Sequence, residues 1–317
     1  MRIVITEPLK IEKKALEDLC RPFEEIGHTI EYYEDVPTNR EEKINRIGNA
    51  DAIIIANNPL EKEVIEACPN LKFIDVAFTG VDHVALDAAK ENNIRVSNAA
   101  GYSTQAVTEL TIGLMIGCYR RMADAHTYTK ERNAFPHGIG RELGGKTVGV
   151  IGTGAIGQRV AKLLLAFGCH VLAFSRTEKK EMVEAGVIYG SLKEILSQSD
   201  IVTLHLPLND KTTHLIDARA LSWMKENAVL INTARGKIVD NHALAKALKD
   251  GKLGGAGIDV FDMEPILPAE EPVHNAPNVF LTPHIAYSTQ ESMLMRAEIV
   301  FKNLEAWLEG RQENIIL

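Results

Sequence analysis

TVGVIGTGAIGQRVAKLLLAFG, residues 147–168, decides how this chain folds. Its apolar start, Val148 to Ile151, reads as a strand, and the amphipathic run from Gln158 to Phe167 reads as a helix. Between them Gly152, Gly154 and Gly157 form G-x-G-x-x-G. The first glycine permits a tight turn, the second lets a pyrophosphate approach the backbone, and the third allows close helix–strand packing. The helix start, with Ala155 and Ile156 beside the glycines, offers free N–H groups and a positive dipole end to phosphates. Alone, the spacing is a weak signal, and the plain alternative is a tight turn between packed elements. A strand before it, a helix after it and a second strand at HVLAF, residues 170–174, make it a dinucleotide-binding unit.

Outward from this unit, short Val- and Ile-rich runs alternate with helical patterns in both directions. Toward the N-terminus, MRIVIT (1–6), DAIIIAN (51–57), LKFIDVAF (71–78) and IRVSNA (94–99) read as strands. EKEVIEAC (61–68) and ALDAAKEN (85–92) between them read as helices. A long helix is predicted from Thr104 to His126, with Val107, Leu110, Leu114 and Met115 at helical spacing. The polar stretch 129–146 reads as an irregular arm. Toward the C-terminus, DIVTLHLP (200–207), AVLINTA (228–234), GGAGIDVF (254–261) and NVFLTP (278–283) continue the second strand series. A last amphipathic helix is predicted from Thr289 to Gly310. The βαβα rhythm implies two α/β domains, each with a parallel sheet covered by helices, and the second begins near residue 100.

A length of 317 residues with 45% hydrophobic content suits about two globular domains. The net charge of −8 argues against a nucleic-acid partner but leaves room for a local basic site that takes a small anion. Cys20, Cys68, Cys118 and Cys169 lie far apart with no C-x-x-C pair, so a zinc or disulfide framework is not expected. MRIVITEPLK reads as a first strand and not as a signal peptide. LTIGLMIGCY, from Leu110, is too short for a membrane span, which needs about 20 apolar residues. The expectation is a cytoplasmic protein with no membrane partner and no metal.

VLAFSRT, residues 171–177, ends the second strand of the dinucleotide unit. An acidic residue there would bind the adenosine ribose hydroxyls and repel a 2′-phosphate. Here the position holds Ser175, followed by Arg176 and Thr177. Ser175 removes the repulsion, Arg176 can pair with a phosphate dianion, and Thr177 can add a hydroxyl donor. NADP(H) is therefore the preferred cofactor, with NAD(H) allowed. The plain alternative is a solvated Arg176 with Ser175 bonding the ribose of NAD.

Three later segments carry further chemistry: INTARGKIVD (231–240), GIDVFDMEP (257–265) and LTPHIAYST (281–289). They resemble segments of the D-isomer-specific 2-hydroxyacid dehydrogenases, which implies reduction of a 2-keto acid, a reaction that needs a hydride donor, a proton donor and an anchor for the carboxylate. His284 suits the proton donor, since imidazolium can deliver a proton near neutral pH. Glu264 can hold the ring through its other nitrogen and favour its charged form. Arg235 can bind carboxylate and keto oxygens together. Taken singly, each has a bland reading: a surface histidine, a turn-capping arginine, a solvated glutamate.

With the glycine motif in mid-chain, these segments resemble the D-isomer-specific 2-hydroxyacid dehydrogenase family, closest to its glyoxylate/hydroxypyruvate reductase branch. LHLPLNDKTTHLI (204–216) is similar to the family's segment beside the cofactor pocket, and residues 77–110 to its substrate loop and the start of its dimer helix. The resemblance implies a cofactor surface that includes His205, Leu206, Pro207, Thr212, Thr233, Ala234, Arg235, Asp259, His284 and Ala286. Asp259 would accept from the nicotinamide carboxamide. The backbone of Thr79, Gly80 and Val81 would grip the substrate carboxylate. It also implies two doubly wound parallel-sheet domains, a Rossmann cofactor domain (99–286) inserted into a flavodoxin-like substrate domain (1–98 and 287–317). The active site would lie in a cleft between them, and a homodimer would form through the long helix and arm. Within the family, phosphoglycerate dehydrogenase ranks lower, because Asn57 and Asn58 stand where a phosphate would call for basic residues. A formate dehydrogenase ranks lower because its histidine is partnered by glutamine. A nucleotide-sensing, corepressor-like binding protein is the reading from another class.

Overall fold

The computed structural model describes residues 1–136, 138–263 and 270–317. It divides into two compact units, Met1–Ser103 with Ser288–Leu317, and Thr104–Tyr287.

The first unit alternates strands and helices: β1 (Arg2–Ile5), α1 (Lys13–Glu25), β2 (Thr29–Tyr32), α2 (Arg40–Ile47), β3 (Ala52–Ile55), α3 (Lys62–Glu66), β4 (Phe73–Val76), α4 (Leu86–Glu91) and β5 (Arg95–Asn98). Its five strands are parallel in the order β2-β1-β3-β4-β5, the flavodoxin-like arrangement. The middle strand, β3, is apolar along its whole length, because helices cover both faces of a parallel sheet. Ile53, Ile54 and Ile55 of β3 are all buried.

The second unit runs α5 (Thr104–Arg120), α6 (Met122–Lys130), β6 (Thr147–Ile151), α7 (Ala155–Ala166), β7 (His170–Phe174), α8 (Lys180–Glu184), β8 (Ile188–Tyr189), α9 (Leu192–Gln198), β9 (Ile201–Leu204), α10 (Ala218–Trp223) and β10 (Ala228–Asn232). A 3-10 turn (Gly236–Ile238), α11 (Asn241–Lys249), β11 (Leu253–Ile258) and β12 (Val279–Leu281) follow, and α12 (Gln290–Leu308) belongs to the first unit. The seven strands are parallel in the order β12-β11-β10-β9-β6-β7-β8. The order reverses between β6 and β9, the switch point at which open α/β sheets bind ligands. Side chains alternate across this sheet into two apolar layers. Ala228 and Leu230 of β10 enter one, Val229 and Ile231 the other.

Three features differ from the sequence reading. The helix predicted from Thr104 to His126 breaks at Arg121, which adopts a left-handed φ of +49° and pairs with Asp124 at 2.7 Å. A new helix, α6, then runs to Lys130, inside the stretch read as irregular. The edge strands β2 and β8 were not expected. Both are short and partly exposed, so neither shows a continuous apolar run.

Candidate active site

The carboxyl ends of β10, β11 and β12 lie side by side, with Asn232 opposite Ile258 and Ile258 opposite Leu281. Backbone bonds extend that row past the strand ends. Asp259 N–H donates to Asn232 at 3.0 Å, Thr282 N–H to Ile258 at 3.0 Å, and His284 N–H to Asp259 at 2.7 Å. Arg235, Asp259 and His284 therefore follow three adjacent strands on one edge of the sheet. The Asn232 side chain folds the first of these turns: its Nδ2 donates to Arg235 O at 2.9 Å, and its Oδ1 accepts from Ala234 N–H at 3.0 Å. Arg235 is half-buried and donates from Nη1 to Ala234 O at 2.8 Å.

Asp259 is fully buried, and its carboxylate holds the loop after β12. Oδ1 accepts from Thr282 Oγ1 at 2.6 Å and from Ile285 N–H at 2.9 Å, and Oδ2 accepts from Ala286 N–H at 2.9 Å. Burial pushes its pKa up, against the pull of these donors and of the nearby His284. His284 sits in this loop with a left-handed φ of +52°, its ring edge-on to Tyr287 with centroids 5.4 Å apart. Glu264, the expected partner of that ring, lies outside the described residues.

The glycine turn follows β6. Gly152 has a φ of +99°, and a Cβ there would stand 2.3 Å from His205 O. A Cβ on Gly157 would stand 2.0 Å from Gly152 O, so both positions exclude any larger residue. Gly154, at the N-cap of α7, faces open space. Between the glycines, the buried Thr153 hydroxyl meets no hydrogen-bond partner among the described residues. Open space beside the first N–H groups of a 12-residue helix fits a pyrophosphate. Ala155 and Ile156 open that helix. Gly152 N–H donates to Phe174 O at 2.8 Å, which ties the turn to the end of β7. Ser175 is half-buried there, and Arg176 and Thr177 are exposed.

His205 follows β9, its N–H on Ile151 O at 2.8 Å and its Nε2 3.0 Å from Thr203 Oγ1. The residue keeps some surface, but burial of the ring pushes its pKa down to about 3, so it is neutral at physiological pH. Leu206 and Pro207 lead into a loop closed by Thr212, whose Oγ1 donates to Pro207 O at 2.7 Å and accepts from Asn209 N–H at 2.8 Å. Thr233 is buried, with its hydroxyl 2.9 Å from that of Thr111 on α5. Ala286 is buried on the Asp259 carboxylate.

One edge of the second unit thus gathers the glycine turn, residues 175–177, 205–212, 233–235, Asp259 and the loop through His284. Thr79, Gly80 and Val81 belong to the first unit, where they follow β4. The sequence reading missed Asn232 and the holding role of Asp259 in the His284 loop. Neither bond is visible as a motif, since each joins a strand end to a turn whose path the sequence leaves open. Among the described residues no group of three or more His, Cys, Asp or Glu side chains could hold a metal, and no helix is long and apolar enough to cross a membrane.

Residues 112–286 match the family model described as D-isomer specific 2-hydroxyacid dehydrogenase, NAD binding domain. The chain is 39% identical to a glyoxylate reductase of Thermofilum pendens over 284 residues, 87% of this chain and 84% of that protein. It is 36% identical to a D-3-phosphoglycerate dehydrogenase of Methanocaldococcus jannaschii over 326 aligned positions, spanning all of this chain but 59% of that longer protein. Among solved structures, an acyclic imino acid reductase (Bsp5) in complex with NADPH and D-Arg superposes with a TM-score of 0.89, at 31% identity over 100% of both chains. The matched domain coincides with the unit built around the glycine turn, and the relatives run the length of the chain: this protein belongs to the D-isomer-specific 2-hydroxyacid dehydrogenase family, oxidoreductases that act on CH–OH groups.

Proposed function

We propose that the chain reduces glyoxylate, hydroxypyruvate or a related short 2-keto acid to the D-2-hydroxy acid, with NADPH preferred and NADH accepted. The observation that carries this reading is the placement of Arg235, Asp259 and His284 after three adjacent parallel strands. They share that edge with a glycine turn fit for a dinucleotide.

Bound at that turn, the reduced nicotinamide would supply the hydride to the keto carbon. His284 delivers a proton to the keto oxygen, so the carbonyl gains one hydride and one proton and leaves as a hydroxyl. Arg235 holds the substrate carboxylate and polarises the carbonyl through its forked guanidinium. Asp259 keeps the His284 loop in register through the three hydrogen bonds its carboxylate accepts. Glu264 is assigned to the second ring nitrogen of His284, and the N–H groups of Thr79, Gly80 and Val81 to the substrate carboxylate. Ser175, Arg176 and Thr177 bind the adenosine end, and the exposure of Arg176 suits a phosphate that stays partly in water.

The rest of the reading is a homodimer in a reducing compartment, the cytoplasm. Ile139 and Phe135 are exposed apolar side chains on the arm after α6, which supports burial against a second copy. The four cysteines are free and buried, as reducing conditions favour.

The test is initial-rate kinetics with glyoxylate, hydroxypyruvate and 3-phosphohydroxypyruvate, each with NADPH and NADH. Turnover of the first two with lower KM for NADPH is the expected result. Preference for the phosphorylated acid would move the chain to the phosphoglycerate branch. No turnover of any keto acid would favour a binding protein.

A further inference from the structure

We infer that Asn98, held in place by Asn303, is a positioning residue that aims the Thr79–Gly80 backbone at a substrate carboxylate. The inference rests on the proposal that residues 79–81 bind that group, and every contact lies within the first unit.

Asn98 ends β5 beside Val76, the last residue of β4. Its buried side chain reaches across to the loop after β4, and Nδ2 donates to Thr79 O at 2.7 Å. Ala99 N–H takes the neighbouring carbonyl, Phe78 O, at 3.0 Å. Two successive carbonyls are thus turned inward, toward the end of β5. A trans peptide is planar, with its C=O and N–H pointing in opposite directions. Fixing those two oxygens inward therefore fixes the N–H groups of Thr79 and Gly80 outward. Among the described residues the N–H groups of Thr79, Gly80 and Val81 donate to no protein acceptor. Three successive free donors on one turn form a nest for an anion.

Asn98 is itself held from the far end of the chain. Asn303 of α12 is buried, and its Nδ2 donates to Asn98 O and to Asp75 Oδ1, each at 3.0 Å. Asn314 Nδ2 donates to Asn303 Oδ1 at 2.8 Å, and Asn98 N–H donates to Asn314 O at 3.2 Å. The backbone of Asn98 is therefore gripped on both sides, which fixes the point from which its amide reaches Thr79 O. The family's carboxylate-binding loop is then set by side chains that touch no substrate.

The test uses Asn98→Asp, which keeps the shape but replaces the donor with an acceptor, and Asn98→Ala, which removes the donor without adding charge. Hydroxypyruvate and its uncharged amide serve as substrates, with NADPH saturating. The expected result is a KM for hydroxypyruvate raised at least tenfold in both variants, with kcat within threefold of wild type. The KM for the amide and the Kd for NADPH stay unchanged. Asn303→Ala should raise the same KM by a smaller factor. Equal loss for acid and amide would make Asn98 a structural residue and overturn the inference, as would an unchanged KM for the acid. A wild-type enzyme that does not distinguish the acid from the amide would sink the carboxylate reading itself, and the inference with it. If Asn98→Asp fails to fold, Asn98→Ala decides the matter.

Discussion

Gly236 immediately follows Arg235 and begins the 3-10 turn after β10, where it passes the backbone beyond β11. A Cβ at this position would stand 2.1 Å from Phe261 C, 2.2 Å from Phe261 O and 2.6 Å from Asp262 N. Ordinary carbon contacts begin at about 3.5 Å, so the turn in Gly236→Ala would have to retreat by roughly 1.4 Å. The obstacle is the Phe261–Asp262 peptide itself, which no rotamer change relieves. The retreat pulls on Arg235, whose own carbonyl is fixed by Asn232 Nδ2. A misplacement of about 1 Å at a catalytic group costs on the order of 10²-fold, or about 2.7 kcal/mol of barrier. Overpacking costs about 1–3 kcal/mol of stability in addition. The assay is kcat/KM for hydroxypyruvate, alongside Kd for NADPH by fluorescence quenching and a melting curve. The expected outcome is a loss of about a hundredfold in kcat/KM with NADPH affinity nearly intact, since the glycine turn lies two strands away at β6. A variant within threefold of wild-type kcat/KM would refute the claim that this contact places Arg235.

Gly154→Ala should do the opposite: its Cβ meets no protein atom, so stability holds, but it fills the space open to the pyrophosphate, and NADPH Kd should rise about tenfold or more by titration. His284→Ala should abolish keto-acid reduction while NADPH still quenches protein fluorescence normally; wild-type reduction would remove His284 from the mechanism. Arg176→Ala should raise Kd for NADPH about tenfold and leave NADH nearly unchanged, with the gap shrinking as salt is added, because the side chain is exposed. Equal losses for both cofactors would make Arg176 structural. Asp75 is fully buried, and desolvation raises its pKa well above the usual carboxylate range. A carboxyl that binds its proton more tightly when folded contributes most below the unfolded pKa near 4. It then loses up to about 1.4 kcal/mol per pH unit as pH climbs toward the folded pKa. Asp75→Asn should flatten that decline in melting scans from pH 5 to 9, and an unchanged slope would place the pH sensitivity elsewhere.

What could be read from the sequence was whatever depends on neighbours along the chain. AVLIN of β10 is apolar over its first four positions because a central parallel strand is buried on both faces, and that run is visible in one dimension. The glycine turn was legible because three steric demands fall within six residues. The break at Arg121 was not, because the apolar spacing continues through it and a left-handed arginine has no sequence mark. β2 and β8 were hidden by being edges, where half-exposure erases the pattern. Asn98 and Asn303 are separated by 205 positions, and nothing in either's surroundings announces the other. Side chains that hold a turn from across the fold become visible only when the sheet has brought them together.

The same distinction explains why Asp259 and His284 belong together. A left-handed backbone costs a residue with a Cβ about 1–2 kcal/mol, and His284 adopts one. Strain of that kind persists only where surrounding bonds over-determine it. Here the bonds come from a single carboxylate, which takes Thr282 Oγ1 and the N–H groups of Ile285 and Ala286, while the carbonyl of the same residue takes His284 N–H. Each bond to a charged acceptor is worth about 1.5–3 kcal/mol, so the set exceeds the strain it sustains. The carboxylate can do this only when ionised, yet burial favours its neutral form. The donors and the imidazole beside it oppose that push, so the bonds that hold the His284 loop also support the charge they depend on. Asp259→Asn would set an NH2 group against one of those N–H donors and release part of the loop, which is why the buried carboxylate is tolerated at this edge of the sheet.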